Sequence, residues 1–355
     1  MTGVQTCALP IYGDLSHRVM RTLEQFSPDV EIYSIDEAFI SLKGFERQGL
    51  TEYCYKIRET VKQWTGIPVS IGIARTKTLA KVANHIAKKN LEYNGVLNIL
   101  DSERINEYLE RTEVSEVWGV GRQYTKFLQN NNIFNALELS KANDKWIKKN
   151  MTVMGLRTVY ELRGTPCINL EYAVPSKKAI VSSRSFGKSV NSIQDVKEAV
   201  ATFTSRAAEK MRKQESAAFL LTVFIRTNPF KNEPQYHNGV LVQMPVPSDS
   251  TAELISYAMK GVEQIFREGY LYKKVGIMLT GFVHKSTVQN SLFDKIDRVK
   301  MTKITETMDK INSDYGSGSL FYAATGISRE WKTRAELKSQ RFTTSWDDLP
   351  IVSAK

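Results

Sequence analysis

The spacing of apolar and polar side chains in the first hundred residues predicts helices that alternate with strands. This order indicates an α/β or α+β layer with helices packed on a sheet. We place this first region at residues 12–100. Its predicted elements are a helix over 14–26, a strand over 33–42, a helix over 51–65, a strand over 69–74 and a helix over 76–89.

The remaining pattern predicts a helical region, a linker and a second mixed domain. Residues 101–165 are predicted all-helical, and the proline-bearing stretch 166–176 reads as a linker. Over 177–286 the order is strand, helix, strand, strand, helix, strand, which predicts a βαββαβ domain with a four-stranded sheet. The tail 287–355 mixes one helix, over about 294–312, with irregular polar sequence.

The composition indicates a polyanionic partner. The chain has 355 residues, enough for two or three domains, and a net charge of +11. Residues 177–289 hold sixteen Lys and Arg against nine Asp and Glu, so more than half of the excess lies in the second mixed domain. This favours contacts with a nucleic-acid backbone, the alternatives being an anionic membrane surface or a solvated face. No apolar run approaches membrane-spanning length, so we expect no membrane insertion.

The number and spacing of the cysteines indicate the redox state of the compartment in which the protein acts. Cys7, Cys54 and Cys167 lie far apart without a CxxC pair, which fits a reducing cytoplasm and argues against a zinc site.

Residues 1–11, MTGVQTCALPI, match codon for codon the translation of a common sequencing-library adapter. Our hypothesis is that they are an assembly artefact and that the native chain extends upstream of Tyr12; the coding DNA tests it.

Two adjacent acids, Asp36 and Glu37, lie within YSIDEAFISL. On a continuous strand they would face opposite sides, one toward water and the other capping a turn. If the strand ends or bends there, both carboxylates face one hollow and present the hard oxygen ligands that Mg²⁺ prefers. Two ions need a bridging group, so we expect a third acid from another strand.

Two further stretches are candidates for phosphate contacts. In SIGIARTKTLAKVANHIAKK a strand turns into a helix at 75–78, where free N–H groups and Lys77 suit a phosphate; the alternative is an ordinary amphipathic helix with solvated lysines. WGVGRQYTKFL, residues 118–128, has the pattern of a helix-hairpin-helix that holds a nucleic-acid phosphate, with Arg122 and Lys126 on one face.

Together these stretches resemble the Y-family of translesion DNA polymerases, most closely its UmuC-type branch. YSIDEAF is similar to the palm motif, SIGIARTKTLAKVAN to the following strand and helix, and VWGVG to the thumb's helix-hairpin-helix. SSRSFGKSV is similar to the start of the little finger, and RFTTSWDDLP to the end of that branch. The resemblance implies an α+β multidomain, right-hand polymerase. Its parts would be a partial palm (12–100), a helical thumb (101–165), a linker (166–176), a βαββαβ little finger (177–286) and a C-terminal extension (287–355).

The resemblance also implies roles for individual residues. Asp36 and Glu37 are the expected catalytic, metal-binding acids, and they would hold two Mg²⁺ ions in the intact enzyme. Lys77 is expected to contact the triphosphate of the incoming dNTP. The expected DNA contacts are Gly119, Gly121, Arg122, Lys126, Arg184, Ser185 and Lys188.

The resemblance further implies partners. QNSLF, residues 289–293, resembles the peptide by which such enzymes bind the sliding clamp, through Gln289, Leu292 and Phe293, although Asn290 departs from the commoner leucine. Damaged primer-template DNA is the expected substrate. A UmuD-like accessory subunit and a RecA filament are further expected partners, within the SOS response and its mutagenesis.

The beginning of the chain departs from the family pattern. The family's first palm strand, with its first metal-binding aspartate, and the fingers domain do not precede SIDEAF here, and Asp14 is no substitute. We therefore predict an error-prone translesion polymerase by descent whose chain as given has little or no activity. The alternatives are a non-catalytic DNA-binding fragment and a clamp-tethered regulatory subunit.

Overall fold

The structure is a computed structural model that describes residues 9–100, 103–172, 175–289, 296–329, 331, 340 and 342–352. The chain forms two compact units, the first made of residues 1–174 and 337–355 and the second of residues 175–336.

The first unit begins with the predicted alternation of helices and strands. The helix expected from residue 14 starts earlier, at Leu9, within the adapter-like stretch. The elements are α1 (Leu9–Leu23), β1 (Val30–Ile32), β2 (Ala38–Ile40), α2 (Leu50–Thr65), β3 (Ile71–Ile73), α3 (Lys77–Lys89) and β4 (Val96–Asn98). In the described residues β1 pairs only with β2, antiparallel, and β3 only with β4, parallel.

The expectation of one strand over 33–42 was wrong in detail, because a turn interrupts it. β1 and β2 form a hairpin in which Val30 lies opposite Ile40 and Ile32 opposite Ala38. The amides of Tyr33 and Ser34 both donate to the carbonyl of Glu37, at 3.1 and 3.0 Å, and close the turn. The side-chain alternation of a strand therefore stops at the acids.

Helix α3 packs closely on β3. Gly72 is required for this approach, because a Cβ built there would lie 2.1 Å from the carbonyl oxygen of Ala80. Thr76 caps the helix by accepting a hydrogen bond from the amide of Leu79 at 3.2 Å. The predicted apolar face is buried, with Leu79, Val82 and Ala83 each at most 1% exposed.

The rest of the first unit up to the linker is helical in its described residues, apart from one isolated bridge between Glu113 and Asn135. The helices are α4 (Ile105–Glu110), α5 (Arg122–Gln129), α6 (Ala136–Lys141) and α7 (Asp144–Leu162). Helix α7 is kinked at Thr152, whose φ is +66°. Their buried side chains share one core with α3.

The second unit contains the predicted βαββαβ order. Its elements are β5 (Ile180–Val190), α8 (Ile193–Arg212), β6 (Ser216–Thr227), β7 (His237–Ser248), α9 (Thr251–Ile265) and β8 (Tyr272–His284). All pairings are antiparallel in the order β5-β8-β6-β7. Both helices pack on one face of this sheet, where residues such as Leu221, Val223 and Ile277 are fully buried.

The segment after the sheet belongs to the same unit. Helix α10 (Arg298–Asp314) is joined to the end of α8 through Arg212, whose guanidinium donates to both carboxylate oxygens of Asp309 at 2.6 and 2.8 Å. Trp331, 4% exposed, packs in the core against the rings of Phe186 and Phe203. The C-terminal extension therefore supplies part of the core of the βαββαβ sheet.

Candidate metal site and nucleic-acid interface

The acid pair lies at the tip of the β1–β2 hairpin. The hydroxyl of Ser34 donates to Asp36 Oδ1 at 2.6 Å and accepts from the amide of Asp36 at 3.3 Å, which fixes this carboxylate on the turn. Glu37 follows directly, and both its oxygens accept from Lys81 Nζ, at 3.1 and 3.2 Å. The expectation that the pair lies where the strand turns is confirmed.

The donor set fits a magnesium ion in kind. Asp36 and Glu37 offer hard carboxylate oxygens, and the Glu37 side chain is 42% exposed. They fall short in number, since the described residues contain no cluster of three or more acidic, histidine or cysteine side chains suited to a metal. A third donor is needed to complete a two-ion site.

A cavity of about 180 Å³ lies beside the acid pair. The acids line it together with strand β2 on one side and Ile71 and Gly72 of β3 on the other. Within the described residues the two strands belong to separate two-stranded sheets, so the edges that face this cavity have no strand partner. Such edges are templates for a further strand.

The helix N-terminus predicted to hold a phosphate is filled by the protein itself. The carboxylate of Glu161, which is completely buried, accepts from the amide of Thr78 at 3.0 Å and from the amides of Cys167 and Ile168 at 2.8 and 3.1 Å. A buried carboxylate at a helix N-terminus satisfies the same free N–H groups that a phosphate would use.

Lys77 is likewise engaged within the protein. Its Nζ forms an ion pair with Glu31 and donates to the carbonyl of Asn169 at 2.7 Å, and both charged side chains are 8% exposed. This geometry favours a structural role for Lys77. Its expected contact with a triphosphate stays a prediction.

The glycine loop has the geometry of a backbone-binding turn. Gly119 has φ +89°, which favours glycine, and Val117 and Val120 anchor the turn at 2% and 7% exposure. Gly121 then caps α5, whose exposed Arg122 and Lys126 lie one turn apart. The predicted residues are therefore together around one helix N-terminus.

The three residues expected to contact DNA in the second unit do not share a face. Arg184 lies opposite Val275, a core residue, so its side chain is on the helix-covered face of the sheet edge. Ser185 lies opposite Lys274 and faces the open side, and exposed Lys188 follows the break in register after Ser185.

On the helix-covered side, Arg206 interacts with two further arginines, Arg184 and Arg329. Desolvation and the positive charges of Arg184 and Arg329 lower the pKa of Arg206, against the smaller effect of Glu209. The three guanidinium groups are therefore close enough for their charges to interact.

The open face of the sheet is the face that α8 and α9 do not cover. Sequence reasoning missed two basic residues there, Lys274 and Arg226. The register places Ser185, Lys274, Arg226 and His237 opposite one another in a single row across all four strands. Alternation along the strand that contains Leu221, Val223 and Ile225 was the available signal, because it predicts that Arg226 points away from the core.

The expected clamp-binding peptide begins at Gln289, which is described and follows a short 3₁₀ turn (Lys285–Thr287). Leu292 and Phe293 lie outside the described residues.

Comparisons with known proteins follow the same segments. The model described as "impB/mucB/samB family" matches residues 4–85, and "impB/mucB/samB family C-terminal domain" matches residues 177–292. Protein UmuC of Salmonella typhimurium is 41% identical over 343 residues, which cover 96% of this chain and 81% of UmuC. The chain belongs to the impB/mucB/samB family. A "Domain of unknown function (DUF4113)" matches residues 302–352 of this family member.

Two other relatives and one solved structure are also similar to this chain over most of its length. Protein ImpB of Salmonella typhimurium is 40% identical over 347 residues, 96% of this chain and 82% of ImpB. DNA polymerase IV of Clostridium acetobutylicum is 25% identical over 312 residues, 86% of this chain and 74% of that protein. A Y-family DNA polymerase chimera of Dbh and Dpo4 matches with a TM-score of 0.57 at 18% identity, covering 77% of each chain.

The predicted membership of the Y-family, UmuC-type proteins is confirmed. With it the mixed α/β polymerase fold is confirmed, as is the function class, a DNA-directed translesion DNA polymerase. Among the described residues, no helix is long and apolar enough to span a bilayer.

Proposed function

We propose that this protein is, by descent, an error-prone nucleotidyl transferase that joins a dNTP to a primer 3′-hydroxyl opposite damaged template bases. We propose further that the chain as given has little or no activity, because its described residues bring together two acids and not three. The observation that carries the first proposal is the pair Asp36 and Glu37, held at a hairpin tip within the fold of a polymerase family. In the reaction, the 3′-oxygen bonds to the α-phosphorus of the dNTP, and pyrophosphate leaves with the electrons of the broken bond.

Asp36 and Glu37 would hold magnesium. When bound, the metal would activate the attacking hydroxyl and stabilise the leaving oxygen. The chain's own contribution is to position the acids. The Ser34 hydroxyl orients Asp36, and the hairpin places both carboxylates at the rim of the cavity beside β2. We propose that the third acid comes from a further strand of the family's palm, which would pair with the open edges of β2 and β3 around this cavity.

The two basic surfaces would grip the DNA backbone without reading sequence. In the first unit these are the amides at Gly121 and the side chains of Arg122 and Lys126. In the second unit they are the open-face row with Ser185, Lys274 and Arg226, and the exposed Lys188 further along the same edge strand. Arg184 would add a contact from the helix-covered face of that strand. The first unit would contain the palm and the thumb, together with residues 337–355 of the extension, and the second unit would contain the little finger with the part of the extension up to residue 336.

The remaining partners are proposed from the family. The sliding clamp would bind through Gln289, Leu292 and Phe293, and a UmuD-like subunit and a RecA filament would assist. Because its proposed substrate is DNA, we propose that the protein acts in the cytoplasm.

Primer extension with Mg²⁺ and dNTPs tests the proposal. Because the described residues bring together two acids and not three, we expect little or no synthesis by this chain alone. We expect tight binding of primer-template DNA whose log affinity falls with log salt by about 0.9 per phosphate contact. Robust synthesis would contradict the need for a third acid. Binding that ignores salt would contradict both the polymerase and the alternative, a non-catalytic DNA-binding fragment.

A further inference from the structure

The β1–β2 hairpin, which carries Asp36 and Glu37, is called the acid hairpin. Two lysines of α3, one helical turn apart, form ion pairs with its two glutamates. Lys77 pairs with Glu31 and Lys81 pairs with Glu37. The first pair is nearly inaccessible, with both side chains 8% exposed, whereas Lys81 is 20% and Glu37 42% exposed. The inner pair therefore joins helix and hairpin, and the outer pair lies where a ligand can reach it.

The ammonium of Lys81 lies among three aromatic rings. Its Nζ is 4.5 Å from the ring centroid of Tyr33, 5.2 Å from that of Trp118 and 5.8 Å from that of Phe39. These distances are within the range of cation–π attraction. We call these three rings, Tyr33, Phe39 and Trp118, the lysine cage.

The cage is itself an ordered cluster. The centroids of Tyr33 and Trp118 are 5.5 Å apart with their planes at 88°, and Phe39 lies 5.7 and 5.6 Å from them. The indole N–H of Trp118 donates to the hydroxyl of Tyr33 at 3.0 Å. Edge-to-face rings with a hydrogen bond hold a definite shape, so the cage restricts where the ammonium can go.

The cage also joins segments that are distant in sequence. Tyr33 and Phe39 flank the acid turn, Lys81 comes from α3, and Trp118 directly precedes Gly119 of the glycine loop. The carboxylate of Glu37 is thus held, through Lys81, by the loop that carries the proposed DNA contacts.

We propose that Lys81 is a positioning residue that acts as an internal counter-ion: held in the lysine cage, it fixes the Glu37 carboxylate and competes with a divalent cation for it. A cation bound by Asp36 and Glu37 must approach a carboxylate whose two oxygens already accept from an ammonium. Like charges repel, so Lys81 weakens metal binding while it holds the ligand in place. The inference rests on the proposed metal-binding role of the acid pair.

Binding of Mn²⁺ to the full chain, followed by the electron paramagnetic resonance signal of the free ion, tests the inference. An Asp36→Asn, Glu37→Gln double variant defines binding that does not involve the acids. Removal of the charge in Lys81→Met should tighten the acid-dependent binding by roughly three- to tenfold. Lys81→Arg keeps the charge and should restore the parent affinity. Lys260→Met is the matched control, because Lys260 lies 4.9 Å from the ring of Tyr257 in the second unit.

Circular dichroism shows whether each variant folds. If Lys81→Met does not fold, Trp118→Leu serves the same test, since it opens the cage and should tighten acid-dependent binding by roughly two- to fivefold. Equal or weaker acid-dependent binding in the folded variant than in the parent would overturn the inference and leave the acid pair's role intact. Acid-dependent binding absent from both the parent and the variant would overturn the proposed metal role and this inference together.

Discussion

The strands of the two units differ in length and in the size of the sheets that they form. In the first unit, β1 to β4 are three residues each and form two separate two-stranded sheets within the described residues. In the second, β5 to β8 are 11 to 13 residues long and form one four-stranded sheet. Short two-stranded pairs are marginal by themselves, whereas four strands under two helices form a core of their own.

The acid hairpin depends on polar contacts, whereas the sheet of the second unit depends on apolar packing. The acid hairpin is held by ion pairs from α3, by the hydroxyl of Ser34 and by the lysine cage. The proposed DNA-binding sheet is held by apolar packing that continues into the C-terminal extension through Trp331. We therefore expect single charge changes to disturb the first unit and core truncations to disturb the second.

The largest effect is expected for Trp331→Ala. Loss of a buried tryptophan should lower the free energy of unfolding of the second unit by about 3–5 kcal/mol. Because Trp331 Nε1 is buried without a hydrogen-bond partner in the described structure, Trp331→Phe is the matched control and should cost much less. Hydrogen exchange of the β5–β8 amides measures the effect in this unit. Unchanged protection in Trp331→Ala would mean that the extension is not part of the core.

A similar or slightly smaller effect is expected for Lys77→Met. It leaves the carboxylate of Glu31, whose side chain is 8% exposed, without its ammonium and should destabilise the first unit by about 3 kcal/mol. The double change Lys77→Met, Glu31→Leu removes both charges and should recover most of the loss. Denaturant unfolding followed by exchange of the α3 amides measures it. A Lys77→Met protein as stable as the parent would contradict a structural role for this lysine.

A smaller loss of stability is expected for substitutions in the glycine loop, and it should differ between Gly119 and Gly121. Gly119→Ala forces a side chain into a positive-φ conformation and should cost about 1–2 kcal/mol. Gly121 has φ −83° and open space around a built Cβ, so Gly121→Ala should cost less than about 1 kcal/mol. Equal losses of thermal stability in the two variants would show that the turn geometry does not matter.

The smallest effect concerns the open face of the second unit. Arg226→Gln should reduce the slope of log affinity against log salt for primer-template DNA by about 1, with no effect on stability. Lys260→Gln, on the helix-covered side, is the control and should leave the slope unchanged. A slope that changes equally in both would place the DNA elsewhere.

The fold was largely predictable because its signals are local. The alternation of Leu221, Val223 and Ile225 over a long strand, and the burial of Leu79 and Val82 at helical spacing, follow directly from sequence. The acid turn was predicted from the chemistry that two adjacent carboxylates require, although the pattern alone suggested one strand.

The contacts that decide the site were not predictable, because they join distant residues. Glu161 fills the N-terminus of α3 from 83 positions away, and Glu31 reaches Lys77 across 46. No local pattern shows that a lysine beside a helix N-terminus already has a buried partner. The lysine cage likewise needs Trp118, 85 residues from Tyr33.

The proposed function depends on the binding of the metal of a DNA polymerase site by Asp36 and Glu37. Anomalous diffraction from crystals of the chain with primer-template DNA, a dNTP and Mn²⁺ tests it most directly. We expect a manganese peak within coordination distance of Asp36 and Glu37, with the primer end beside it. Manganese bound elsewhere, with Glu37 still held by Lys81, would contradict it.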